Sequence, residues 1–314
     1  MEVTIKSPFQ YQTDTIIKSV KAESRSISPA RLWDLITKGE ITEAERIIIQ
    51  LLFELGFLTS NLLQQCFLND SIPLEYKRIS TADKNKPYRR LLNHLETLGI
   101  ISTLSLFRES QQVGVKIYSL STGANKWMQD QDGRYQPIFI KQSLYRGRLF
   151  DFITNGIDMT EEILGLLARN QFHIKAINTM EDNLIAFSPT RYRAGILDIA
   201  FYQTKSNWNI FMIPLRRAPE GTKHLFHALI TLINIIKKSG RVDYSCIILA
   251  VESLEHTKAI HPQLQAADLQ CIPLCYVTDH HSRNERLVFE HMIHYPASNN
   301  VREYETVTID TISI

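Results

Sequence analysis

Cysteine is scarce in this chain: four among 314 residues, at 66, 246, 271 and 275. Cys66 and Cys246 stand in apolar runs and read as core residues. Cys271 and Cys275, even with His256, His261, His280 and His281 nearby, lack a second Cys/His pair at regular spacing, so no zinc site and no bound metal is expected. No stretch approaches the about 18 uninterrupted apolar residues of a membrane helix. The N-terminus, with Glu2, Lys6 and Asp14, lacks the apolar core of a signal peptide. The expectation is therefore a cytoplasmic protein with no membrane partner. Gly-rich phosphate loops, a Gly-x-Ser-x-Gly elbow and a paired-histidine helix are all missing, which disfavours the common nucleotide and zinc hydrolases and leaves no cofactor to expect. An excess of either charge is missing too: the net charge is +2, so attraction to a polyanion has to come from local clusters rather than a global field.

What is present is enough apolar material, 44% of residues, for two packed cores on the usual domain scale. Residues 1–40 read as an arm, with a polar tract from Lys21 to Ser26 and a short helix from Ser28 to Lys38 that Gly39 ends. Residues 41–128 form a first domain. Residues 129–158, opening on a Gln- and Asp-rich stretch, read as linker and connecting helix, and 159–314 as a second domain. No internal repeat is visible.

In the first domain, Thr42 stands three residues before Glu45 in a capping-box spacing that satisfies free amides at a helix start. Ile47, Ile48, Leu51, Leu52 and Leu55 form its apolar face, and Gly56 is placed to end it. A second helix follows from about Thr59, with Leu62, Leu63, Cys66 and Phe67 on one side, and then a polar stretch from Ser71 to Asp83. A third helix begins after Lys84-Asn85-Lys86, with Pro87 suited to a first turn and Leu91, Leu92, Leu95 and Leu98 as its buried stripe. Strand-like runs at Ile100–Phe107 and Gly114–Leu120 flank a loop from Arg108 to Gln112, and a short helix with Trp127 closes the segment. Helix, helix, basic helix, hairpin, helix is the layout of a winged helix-turn-helix. In that layout Lys84, Lys86, Tyr88, Arg89 and Arg90 lie at the front of the helix that enters the major groove. Arginine there can donate two hydrogen bonds to guanine, and lysine can neutralise phosphate. Arg108 and Lys116, on the hairpin, are candidates for the backbone or minor groove. The expected partner is double-stranded DNA.

From Asp158 onward helices and strands alternate: helix 160–170, strands at 172–177, 184–187, 195–202 and 208–215, a long apolar helix 222–238 ended by Gly240, strand 244–251, helix 253–267 and strand 269–277. A crossover helix between strands argues for an α/β sheet covered by helices. Basic residues accumulate at Lys141, Arg146 and Arg148, then Arg191 and Arg193, then Arg216 and Arg217.

The order Leu98-Gly99-Ile100-Ile101, hairpin, then Tyr118-Ser119-Leu120-Ser121-Thr122-Gly123 resembles winged-helix domains of plasmid and mobile-element proteins. The α-β-β-β-α-β order of the second half resembles the PD-(D/E)XK restriction-endonuclease-like fold. The whole chain is similar to the replication-relaxation family, which joins the two. The resemblance implies an α+β winged helix followed by an α/β nuclease-like domain. It also implies an Asp on the second core strand and a Glu-x-Lys on the third, which together hold a divalent ion and position water. Asp198 matches the first position, while Ile213 and Leu215 stand where Glu and Lys are expected. One aspartate is a poor magnesium site, so Asp198 reads as a vestige with no catalytic residues around it. A homodimer is also expected, because major-groove readers usually gain specificity from two half-sites, with the second domain as the platform for a second copy or for another mobile-element protein. Two alternatives stay open: a nuclease with ligands displaced to Glu162, Asp182 or Lys205, and an adaptor whose winged helix binds protein.

Overall fold

A computed structural model describes residue 9 and residues 15–19, 26–67, 86–108, 111–131, 160–180, 184–194, 197–217, 221–266, 272–279, 292–294 and 305–307. The fold is mixed α and β with two sheets, and the chain divides into two compact units, Thr13–Thr160 and Met1–Gln12 with Glu161–Ile314. Among the described residues no helix is long and apolar enough to cross a membrane.

The Thr13–Thr160 unit contains, in chain order, β1 (Thr15–Ser19), α1 (Pro29–Thr37), α2 (Glu43–Leu55), β2 (Leu58–Thr59), α3 (Ser60–Phe67), α4 (Lys86–Thr97), β3 (Ile101–Arg108), β4 (Gln111–Leu120) and α5 (Thr122–Gln131). The capping box forms as its spacing demands: the Glu45 amide donates to Thr42 Oγ1, and Glu45 Oε2 accepts from the Thr42 amide at 2.8 Å. Gly56 then takes φ +81° at the C-cap, a conformation that costs glycine no Cβ clash. The buried face of α2 is Ile48, Ile49, Leu52, Phe53 and Leu55, turned slightly from the expected stripe, so that Ile47 and Leu51 are only partly covered. On α3, Leu62, Leu63 and Cys66 are buried, and on α4, Leu92 and Leu95.

The four-stranded sheet runs β1-β3-β4-β2, all pairs antiparallel. Two features depart from expectation. Arg108 and Gln111 lie in strands and pair with each other, so the expected Arg108–Gln112 loop is far shorter. Within the segment read as an arm, Thr15–Ser19 is a strand, pairing from Thr15↔Arg108 to Ser19↔Leu104.

The second unit contains α6 (Thr160–Met180), β5 (Leu184–Ala194), β6 (Leu197–Thr204), β7 (Asn209–Pro214), α7 (Gly221–Lys238), β8 (Ser245–Val251), α8 (Leu254–Ala266), β9 (Leu274–Thr278), β10 (Met292–His294) and β11 (Glu305–Val307). Its seven-stranded sheet runs β11-β10-β9-β8-β7-β6-β5, with β7, β8 and β9 parallel and the remaining pairs antiparallel. One face packs against α7 and α8 through Ile213, Leu229, Leu232, Leu249 and Ile260. The other packs against α6 through Phe172, Ala176, Tyr202, Met212 and Ile248. A sheet buried on both faces reads as near-continuous apolar runs, and β8, Ser-Cys-Ile-Ile-Leu-Ala-Val, is buried at every position.

The strand expected at 172–177 is helix, the C-terminal half of α6. Apolar Phe172, Ile174 and Ala176 alternate there with polar Gln171 and His173, a strand-like period. The polar residues are buried as well, so the alternation does not mark an inside and an outside. The last expected strand starts later, at Leu274, directly after Pro273, which has no amide to donate to a ladder.

Candidate functional site

The expected nucleic-acid residues fall on two neighbouring elements of the Thr13–Thr160 unit. Lys86 and Tyr88 occupy the first turn of α4; Arg89 and Arg90 follow, both exposed and without an ion-pair partner among the described residues. Lys84 lies outside the described residues. Arg108 ends β3, and Lys116 is exposed on β4 opposite Ser105. Opposing α4's basic front, no acidic side chain stands in its first turn, so the free amides there meet positive charge, an arrangement that a bound anion relieves.

α4 is held by the same carboxylate that caps α2. Glu45, 1% exposed, accepts from Thr42 with one oxygen and meets His94 Nδ1 of α4 at 2.6 Å with the other. Sequence reasoning found Glu45 as a cap but missed its second role, because nothing local marks a partner on another helix. Gly123 is similarly committed. A Cβ at position 123 would overlap the Ile27 carbonyl oxygen, and the Gly123 amide donates to Ser26 Oγ at 2.8 Å. The glycine in the Ser-Thr-Gly turn thus lets the chain at 26–27 cross against the start of α5.

In the second unit, Asp198 sits on β6 opposite Arg193 of β5. The β6–β7 register, Ala200↔Met212, carries position 198 to a place beside 214. Residues directly opposite share a face, so positions 212, 214 and 216 are in line with 198. Ile213 and Leu215 instead belong to the layer under α7. Ile213 and Leu215, where the resemblance puts Glu and Lys, therefore lie on the sheet face opposite to position 198. The positions in line with 198 are thus occupied by Met212, Pro214 and Arg216, none of them a carboxylate.

Arg216 is held by both terminal nitrogens, while its Nε is buried without a hydrogen-bond partner. Its guanidinium makes a two-pronged pair with Asp279, Nη1 to Oδ2 at 2.6 Å and Nη2 to Oδ1 at 3.1 Å, and Nη2 also donates to the Ala250 carbonyl at 3.2 Å. Both side chains are buried. Burial works against the charge of Arg216, but attraction and hydrogen bonding from Asp279, and then Glu252, outweigh it and raise its pKa. Around this pair, at the carboxyl ends of the parallel strands, the Arg217 amide donates to Glu252 Oε1 at 2.9 Å, Arg217 Nη2 to Ser253 Oγ, and Gln171 Nε2 to the Asp279 carbonyl. His256 accepts from the Glu252 amide; loss of water, then Arg216 and Arg217, push its pKa down to about 3. Charged residues placed directly after apolar strands were the available signal for this cluster.

Of the displaced-ligand candidates, Glu162 lies in the first turns of α6, Asp182 falls outside the described residues, and Lys205 sits in the β6–β7 turn. At about 3.3 Å per residue, Lys205 is roughly 23 Å along the strand from position 198. Among the described residues no three His, Cys, Asp or Glu side chains gather as metal ligands. His261 faces the Tyr276 hydroxyl, and the Cys246 and Cys275 sulfurs lie 3.9 Å apart in the core. Cys271, His280 and His281 are outside the described residues.

Comparison of the chain with protein-family models, with characterised proteins and with solved structures finds no match.

Proposed function

We propose that residues 41–128 are a winged helix that binds double-stranded DNA, with α4 as the recognition helix and the β3–β4 hairpin as its wing. The observation that carries this reading is the order α2-β2-α3-α4-β3-β4 with β2 paired onto β4. That pairing ties the first helices to the hairpin and leaves Arg89 and Arg90 exposed at the front of α4. Helix-turn-helix proteins place the N-terminal residues of that helix against base edges. The second unit, in this reading, is a restriction-endonuclease-like α/β domain without cleavage activity. Its order α6-β5-β6-β7-α7-β8 and the lack of a carboxylate at Met212, Pro214 and Arg216 support that reading. It serves as a platform for a second copy of the chain or another protein, since groove readers gain specificity from two half-sites. Read as a chain of the replication-relaxation kind, it acts in the replication, transfer or transcriptional control of a mobile element, inside the cytoplasm.

The test is selection from a randomised duplex pool, followed by fluorescence anisotropy on the enriched sequence. Arg89→Ala with Arg90→Ala should weaken binding by about 1–3 kcal/mol for each base edge that an arginine no longer reads. Helix content should be kept, because neither residue is part of the buried leucine stripe. Unchanged affinity in a folded double variant would remove α4 from the interface.

A further inference from the structure

We infer that β1 is part of the DNA-binding surface: one face of the β1–β3–β4 sheet, carrying Lys18, Lys116 and Phe107, takes the sugar-phosphate backbone of duplex DNA beside the groove that α4 enters. This rests on the reading of α4 given above and extends it to a segment with no place in that layout.

Register supplies the first argument. Lys18 of β1 pairs with Ser105 of β3, and Ser105 pairs with Lys116 of β4, so two lysine positions flank a small hydroxyl residue in one row across the sheet. Two strand spacings separate them by about 10 Å, a span over which flexible lysine stems can settle on phosphates of one strand. Composition supplies the second argument. The sequences of β1, β3 and β4 contain no Asp or Glu, and their charged residues are Lys18, Arg108 and Lys116. Such a face complements a polyanion.

Burial supplies the third. On the opposite face Leu104, Leu106 and Ile117 are buried; on this face Ser105 is buried beneath the two lysine positions, while Phe107 is 44% exposed. Gly114 of β4 seats it: a Cβ there would meet Ser105 Oγ at 2.6 Å and the Phe107 ring at 3.2 Å. Phe107 is also in register with Ile16 of β1. An apolar side chain among cations at this place suits packing on sugars or a wedge at the minor-groove edge.

The experiment measures the affinity of the full chain for the enriched duplex as a function of salt. Each neutralised phosphate contributes close to one unit to the slope of log K against log salt. Lys18→Gln with Lys116→Gln should lower that slope by about two, uniformly across sequences, and Phe107→Ala should weaken binding without changing the slope. Circular dichroism and melting of each variant show whether it is folded, and Lys116→Gln alone, which leaves β1 intact, should lower the slope by about one. An unchanged slope in folded lysine variants, with the Arg89/Arg90 variant still impaired, overturns this inference and leaves the α4 reading standing. Absence of duplex binding by the unaltered chain at low salt overturns both. Tighter binding to the matching single strand, abolished in Phe107→Ala, would overturn the duplex assignment in favour of a base-stacking surface.

Discussion

His173 lies wholly inside the second unit, its Nδ1 3.1 Å from the Tyr202 hydroxyl and its ring 5.7 Å from that of Tyr202. Loss of water, then the positive charge of Arg169, push its pKa from 6.5 down to about 3. The same burial raises the Tyr202 phenol. In the unfolded chain His173 takes up a proton below about pH 6.5, while in the folded chain it stays neutral until about pH 3. The unfolded state therefore holds more protons across that window, and the stability present above it is lost as pH falls, at up to about 1.4 kcal/mol per pH unit for one such histidine. His256 adds to the same trend. Urea unfolding between about pH 7 and pH 4 should show His173→Gln losing less stability on acidification than the unaltered chain, even if it starts lower. Parallel curves would mean that His173 titrates alike in the folded and unfolded states.

Among the elements, α5 depends most visibly on one atom. Because the Gly123 position is closed off by the Ile27 backbone rather than by a flexible side-chain end, Gly123→Ala has to move α5 or the 26–27 segment, which is itself hydrogen-bonded from the Ile27 amide to the Gly99 carbonyl. The expected cost is about 1–3 kcal/mol, the range for forced overpacking, measurable as a lower urea midpoint. A neutral substitution would show that the segment shifts freely. The elements also differ in how much the sequence discloses. α2 was legible because Thr42, Glu45 and Gly56 are local signals, and α4 because its leucines recur at helical spacing beside Pro87. β1 was not, since Thr-Ile-Ile-Lys-Ser has no turn of its own and finds its partner only beyond α4. The face taken by Ile213 and Leu215 was hidden for the same kind of reason. β7 is apolar on both faces, so no alternation tells which residues align with Asp198. The charged cluster of Arg216, Glu252 and Asp279 assembles from three strand ends far apart in the chain.

For the whole molecule the functional proposal sets a limit on chemistry. The purified chain with magnesium or manganese should leave plasmid DNA neither cut nor nicked. Hard cations need several oxygen ligands, yet Pro214 stands in line with position 198, and Asp279 is engaged by Arg216. Asp198→Ala should bind DNA as the unaltered chain does. Cleavage abolished by Asp198→Ala would establish the nuclease reading instead, with Glu252 the first residue to examine as a partner ligand.

β1 is made before every other strand of its sheet, yet the residues it pairs with emerge from the ribosome only after α1, α2, α3 and α4. At roughly 5–20 residues per second, a Thr-Ile-Ile edge waits for seconds with no strand to pair with, while the helices that follow it can already pack. Its docking closes the longest loop in that sheet and carries the largest closure entropy there. The first strand synthesised thus waits for a partner made four helices later.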